Sequence, residues 1–205
     1  MNLTNDDLKN HALQQLSTYN KWGESIGVIL IAAIISAVAG CIPFGSLVIF
    51  GPMALGMQGY FLRVSRNGDA ILNDMFDGFK NFGNAFVANF LSMLLIILAA
   101  ILLIVPGIIV ACGYSQINRI MHDNPTMSGR DAMKASWQLM DGKKMDFFIL
   151  NLSFIGWALL CILTIGIGFF FLAPYVNVTN AKFYDEISGR GNELVDSIGK
   201  DIKVV

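Results

Sequence analysis

No aspartate, glutamate, lysine or arginine occurs in residues 25–62, 81–118 or 147–181, although the chain carries 14 basic and 15 acidic residues among its 205. Ionisable groups inside a membrane are costly and persist there for functional reasons. Their absence leaves proton relays, voltage sensors and carboxylate cation sites without residues to build them, which argues against an ion-coupled transporter. Histidine is scarce too: His11 and His122 sit in different loops, with no partner cluster around either. The three cysteines, Cys41, Cys112 and Cys161, all fall inside the charge-free stretches and lack metal-ligand spacing. They read as small buried apolar residues, with neither a disulfide nor a zinc site. No Ser/His/Asp set, phosphate-cradling glycine loop or metal constellation is present, so neither an enzyme nor a cofactor is expected. The net charge of −1, with no basic run, speaks against a nucleic-acid surface.

Processing signals are lacking as well. The first 24 residues are polar and include Asp6, Asp7 and Glu24 where a cleavable signal would begin with a short basic segment. Val38-Ala39-Gly40-Cys41 imitates a bacterial lipoprotein cleavage box, but it follows an acidic leader and runs straight back into apolar residues, so lipidation is not expected. Asn151-Leu152-Ser153 and Asn177-Val178-Thr179 fit the glycosylation pattern yet lie within charge-free stretches and are not read as acceptors.

What is present is apolar residue in long runs. Apolar residues make up 55% of the chain, charged residues 14%, and mean hydropathy is +0.59, against roughly 45–50% and 25% in soluble domains. A soluble chain of this length could not hide so much apolar helix from water. The charge-free stretches are 38, 38 and 35 residues long, whereas one helix crossing a ~30 Å hydrocarbon core needs only ~20. Each is about two crossings long and is interrupted by helix breakers: Ile42-Pro43-Phe44-Gly45, Val105-Pro106-Gly107 and Gly166-Ile167-Gly168. Pro43, Pro106, Gly107, Gly166 and Gly168 are therefore read as turn residues. The expected fold is all-α and polytopic, with six transmembrane helices arranged as three hairpins. They fall at about 25–42, 44–62, 82–105, 107–122, 146–164 and 167–184, in one domain spanning 1–187, followed by a cytoplasmic tail at 188–205.

Charge orients the hairpins. If each stretch were a single span, the basic residues would divide seven against seven between the two sides; as hairpins they divide fourteen against none. Basic residues in short loops stay cytoplasmic, which places both termini and both large loops in the cytoplasm.

Each hairpin is preceded by a short segment of helical character closed by a glycine: Leu8 to Gly23, Ala70 to Gly78 and Asp131 to Gly142. Thr4-Asn5-Asp6-Asp7 and Ser128-Gly129-Arg130-Asp131 are helix-start signatures, with a hydroxyl and a carboxylate three residues apart to satisfy free backbone N–H groups. Asp77-Gly78 and Asp141-Gly142 occupy equivalent places, so the chain reads as three structural units. Leu8, Ala12, Leu16 and Tyr19 share one face, as do Met133, Trp137 and Met140, and such segments at the mouth of a membrane helix usually lie in the interface plane. Trp22, Trp137 and the Phe76/Phe79/Phe82 group suit the headgroup level.

Uncharged polar residues gather in the third to sixth helices, toward their cytoplasmic ends. Pro174 lies within the sixth, where it removes a backbone hydrogen bond and exposes a carbonyl. These groups either line a polar pocket open to the cytoplasm or pair with one another between helices. As a pocket, Gln116, Asn151, Ser153, Tyr175 and Asn177 would orient a ligand, with Trp137 and Lys144 at the mouth. Gly51, Gly56 and Gly59, with Ala54, allow close approach of the second helix to a neighbour. Asp123, Asp131, Asp141 and Asp146, interleaved with Arg130, Lys134, Lys143 and Lys144, read as a solvated mixed-charge surface.

Several motifs resemble one family. Ile104-Val105-Pro106-Gly107-Ile108-Ile109, Asp123-Asn124-Pro125, Ser136-Trp137-Gln138-Leu139-Met140-Asp141-Gly142-Lys143-Lys144, Leu152-Ser153-Phe154-Ile155-Gly156-Trp157, Thr164-Ile165-Gly166-Ile167-Gly168, Pro174-Tyr175 and Phe183-Tyr184 resemble, in order, the bacterial integral-membrane family known as domain of unknown function 975. The resemblance is most specific over residues 100–187. In the first hundred residues it is one of pattern only, through Gly51-Pro52, Gly56 and the Phe76-Gly78-Phe79 element. More distantly the family looks like the membrane domain of some glycerophosphodiester phosphodiesterases, a likeness at the level of fold. It implies a six-helix protein of the bacterial plasma membrane, with the loop from Asn124 to Lys144 and the last two helices as its distinctive part, and it implies no activity.

Two functional readings follow. In the first the protein is a non-enzymatic scaffold or accessory protein acting at its cytoplasmic face on a protein partner or on lipid, with envelope stress and the handling of membrane-active peptides as candidate roles. In the second it is a lipid- or amphiphile-binding or transport module with a cytoplasm-open polar cavity.

Overall fold

Helices supply all the regular structure among the described residues, which in the computed structural model are 5–18, 21–40, 45–67, 70–102, 104–163, 166 and 168–189. Helix α1 spans Asn5–Thr18, α2 Trp22–Gly40 and α3 Gly45–Asn67. A 3₁₀ helix, Leu72–Asn81, leads into α4, Phe82–Leu102, followed by α5, Ile104–Tyr114, and α6, Ile117–Asp123. The chain ends in α7, Gly129–Leu139, α8, Lys144–Leu152, α9, Ile155–Leu163, and α10, Gly168–Ile187. The Pro43 turn, Thr4, Tyr19 and the tail from 190 onward lie outside the described residues.

Two expected helices are each broken in two. The stretch read as 107–122 divides into α5 and α6, and that read as 146–164 divides into α8 and α9. A serine stands at each break and its hydroxyl donates to a carbonyl three residues back: Ser115 to Cys112 and Ser153 to Leu150. Such local bonds compete with the helical ladder, and the backbone there tightens to three-residue closures, Ser115 N–H to Cys112 and Phe154 N–H to Asn151. Pro106 sits in the first turn of α5, where a missing N–H breaks no helical bond. Gly107 beside it lets α5 pass against Ala100 of α4. Gly166 holds φ at +82°, a conformation that favours glycine, and α10 begins two residues later at Gly168, packed on Cys161. Pro174 lies inside α10.

The tightest packing lies between α3 and the 3₁₀ helix. A Cβ on Gly56 would run into the Met75 carbonyl, and one on Gly78 into the Pro52 carbonyl, so the two backbones touch with no side chain between them. Gly51 meets the Ala85 carbonyl of α4 in the same manner, and Gly59 makes room for the His122 ring of α6. Glycine-lined helix contacts of this kind make α3 the axis on which the other elements assemble.

The amphipathic segments differ from expectation in what covers their apolar faces. Leu8, Ala12 and Leu16 of α1 are buried in the protein, beneath α10 and α3, and Ala132, Met133 and Met140 are buried in the same way. The ends of the bundle carry polar groups, and these short helices close over them with protein contacts. Large apolar side chains instead face outward along α4, α5, α9 and the start of α10, among them Leu98, Ile101, Val105, Trp157, Leu159, Ile162 and Phe171. An aromatic ladder, Phe82–Phe86–Phe90, runs up α4 from the exposed Phe76 and Phe79. Two helical stretches, Leu72–Ile101 and Lys144–Ile162, are long and apolar enough to cross a membrane, and the number rises to three if α1 and α2 act as one bent span.

Candidate functional site

The ends of α3, α6 and α10 meet at Arg66, in the last turn of α3. Its Nη1 and Nη2 donate to the two oxygens of Asp123 at 2.8 and 2.9 Å. Its Nε and Nη2 donate to Oδ1 of Asp185 at 2.9 and 2.7 Å. Asp123 closes α6 and also accepts the Tyr184 hydroxyl at 2.9 Å. The two carboxylate side chains are 3% and 2% exposed, so this is a desolvated ion cluster and no surface pair. Burial alone would raise the Asp123 carboxyl, but the bonds from Arg66 and Tyr184, with the His122 ring 3.7 Å away, outweigh it and hold it well below the usual carboxylate range. For Asp185 burial wins: its carboxyl is raised despite Arg66, and its Oδ2 has no hydrogen-bond partner among the described residues. Burial opposes the Arg66 charge, yet the two carboxylates raise it above its ordinary value.

A second guanidinium, Arg119, is buried beside this cluster. Its Nη1 donates to Gln116 Oε1 at 2.9 Å, Gln116 donates in turn to Ser115 Oγ, and Arg119 Nε has no hydrogen-bond partner among the described residues. The expected solvated surface over 123–146 is thus corrected at Asp123, which the convergence of α3, α6 and α10 takes out of water.

Two helix pairs, α4 with α6 and α8 with α10, repeat the same chemistry. Asn89 and Asn118 exchange amide bonds at 2.8 and 3.3 Å, and Asn151 and Asn180 at 3.4 and 3.2 Å; each pair is 29 residues apart. Asp123 and Asp185 each stand five residues beyond the second asparagine. The same Asn-x₄-Asp end therefore presents a carboxylate to one arginine from two sides. Aligning the two helix pairs on this spacing is the signal that would have found the cluster from sequence.

The seven residues proposed as a cavity separate into three places. Gln116 belongs to the buried polar cluster around Arg119. Asn151 donates to Phe147 O and pairs with Asn180, Ser153 donates to Leu150 O, and Asn177 donates to Ala173 O. Tyr175 meets Phe154 edge-on at 5.4 Å. Trp137 and Lys144 come together, the ammonium lying 3.7 Å from the ring centroid.

Trp137 borders a groove of about 460 Å³ lined also by Leu91, Tyr114, Arg130, Met133, Lys134 and Gln138. Helix α7 forms one wall because Ser128 caps it, accepting the Asp131 N–H. The buried Ser136 hydroxyl docks it onto the Gly113 carbonyl at 2.7 Å. Gly113 itself leaves room for the Trp137 ring, which would meet any Cβ there. Gly142, at φ +71°, then turns the chain into α8 and brings Lys144 back over Trp137. Among the described residues no group of His, Cys, Asp or Glu is placed to hold a metal ion, and Cys112 is a buried free thiol.

Residues 92–191 match the family described as "Protein of unknown function (DUF975)". The matched segment contains both carboxylates of the cluster and the α7 wall of the groove, whereas Arg66 precedes it. No curated protein and no solved structure matches the chain.

Proposed function

We propose that the chain is a multi-pass protein of a bacterial plasma membrane, crossing six times as three hairpins, and that it serves as a non-enzymatic scaffold or accessory protein through a cytoplasmic face on which both termini lie. One observation carries this reading. Arg66, Asp123 and Asp185 follow the first, second and third charge-free stretches respectively, and they are in contact. Were each stretch a single crossing, Asp123 would lie across the bilayer from the other two, a separation of about 30 Å. Further ties support the same sidedness: Lys21 Nζ donates to Ala70 O at 3.1 Å, and Asn81 donates to Pro125 O. The outward apolar residues of α4, α5 and α9 suit lipid, and basic residues grouped at one side suit the cytoplasm. The buried carboxylates are occupied by Arg66, an arrangement that joins hairpins and favours a structural role.

The test is cysteine accessibility in a variant whose three native cysteines are replaced. Single cysteines at Lys80 and Lys143 should react with a membrane-impermeant maleimide only after cells are permeabilised, whereas Ser46→Cys should react in intact cells. Labelling of Lys80→Cys or Lys143→Cys from outside intact cells would overturn the proposed topology. The second reading, an amphiphile-binding module, is favoured by a different observation, the groove at Trp137.

A further inference from the structure

We infer that the groove between α4, the end of α5 and α7 holds the headgroup of an anionic phospholipid, with Arg130 and Lys134 as its cationic contacts and Trp137 as an apolar plate; the inference rests on the membrane placement proposed above. Arg130, Lys134 and Gln138 recur every four residues along α7, which puts them on one stripe, with Trp137 beside them. Arg130 and Lys134 are exposed, and neither forms an ion pair among the described residues. Lys21, Arg63, Lys80 and Lys143, by contrast, each face a carboxylate. No acidic residue lines the groove. The acid next to Arg130 in sequence, Asp131, is engaged by the Ser128 hydroxyl at 2.6 Å. Lys144 adds a further positive charge on the Trp137 face.

The groove also has a track for acyl chains. Leu91 on its wall begins a helical stripe on α4 that continues through Leu94, Leu95 and Leu98, all exposed. Cations at one end of a line of bare leucines match a molecule with an anionic head and hydrocarbon tails. A free phosphate would leave the leucines uncovered, and an acidic peptide would have no use for them. The volume falls within the range of roughly 300–1,000 Å³ typical of small-ligand sites.

The experiment uses the full chain in lipid vesicles, with Trp22→Phe and Trp157→Phe leaving Trp137 as the only tryptophan. Its fluorescence is titrated with acyl-brominated phosphatidylglycerol or acyl-brominated phosphatidylcholine. Each basic residue at a membrane surface favours anionic lipid by about five-fold, so with two such contacts half-maximal quenching should need roughly 25-fold less phosphatidylglycerol than phosphatidylcholine. Arg130→Gln with Lys134→Gln should abolish that difference, and Lys134→Arg should keep it. Equal quenching of Trp137 by the two lipids would overturn the site. A companion chain retaining only Trp157, exposed on α9, separates the two levels of inference. Its quenching by both lipids with no selectivity at Trp137 sinks the headgroup site alone, whereas quenching of Trp157 by neither lipid sinks the membrane placement and the site with it.

Discussion

Replacing Arg66 with alanine would strand two carboxylates that are almost wholly out of water. Breaking a buried pair from one side costs about 3–5 kcal/mol, while replacing every partner with apolar residues is often neutral. Arg66→Ala should therefore lower the melting temperature of the detergent-solubilised protein sharply, and Arg66→Met combined with Asp123→Leu and Asp185→Leu should recover most of the loss. The two acids are unequal. Asp123 is held by Arg66 and Tyr184 and has a lowered pKa, whereas Asp185 is raised. Asp123→Asn should cost about 3 kcal/mol and Asp185→Asn about 1. Their pH signatures have opposite signs. A lowered carboxyl gives stability that is complete above an unfolded value near ~4 and is lost as pH falls through the folded value. A raised one binds its proton more tightly when folded, so it favours the folded state at low pH and that gain is lost as pH rises through the raised value. Wild-type stability should thus rise on acidification toward pH ~4 and fall below it, and Asp185→Asn should remove the rise while leaving the fall. Melting curves across pH decide the matter.

At the scale of elements, glycine contacts and asparagine pairs set how the helices meet. Gly56→Ala or Gly78→Ala would push a methyl group into a facing carbonyl and should cost about 2–3 kcal/mol through overpacking. Gly83→Ala and Gly156→Ala, with nothing near the added carbon, should be neutral or stabilise by about 0.5–1 kcal/mol, as expected for glycine in a helix. Thermal denaturation of the four variants separates the two classes. The amide pairs invite double-mutant cycles: Asn89→Ala with Asn118→Ala, and Asn151→Ala with Asn180→Ala, should each show coupling of about 0.6–1.7 kcal/mol. The cross pair Asn89→Ala with Asn151→Ala should be additive. The close approach at Gly51, Gly56 and Gly59 was legible in the sequence, because small residues clustered on an apolar helix have few other uses. The breaks at Ser115 and Ser153 were not, since a serine's hydroxyl declares its choice of carbonyl only in three dimensions.

For the whole molecule, charge-free runs and their breakers were enough to read an all-helical chain. They act through composition, which needs no knowledge of contacts. The Arg66 cluster escaped because its partners lie 57 and 119 residues away. Each of its members taken alone is an ordinary charge at the end of an apolar run, and such charges are usually wet. Of the residues lining the groove, Trp137 was singled out in the sequence, whereas Arg130 and Lys134 were read as part of a solvated surface. Nothing in a linear spacing tells which cations lack a carboxylate.

The distances along the chain that separate Arg66 from its two acids also impose a chronology on biogenesis. While the polypeptide is being made, the guanidinium emerges first, gains Asp123 only once α6 is in place, and acquires Asp185 only with α10. Until then the earlier helices hold an incompletely neutralised cation. Docking of α10 is thereby the event that seals the assembly.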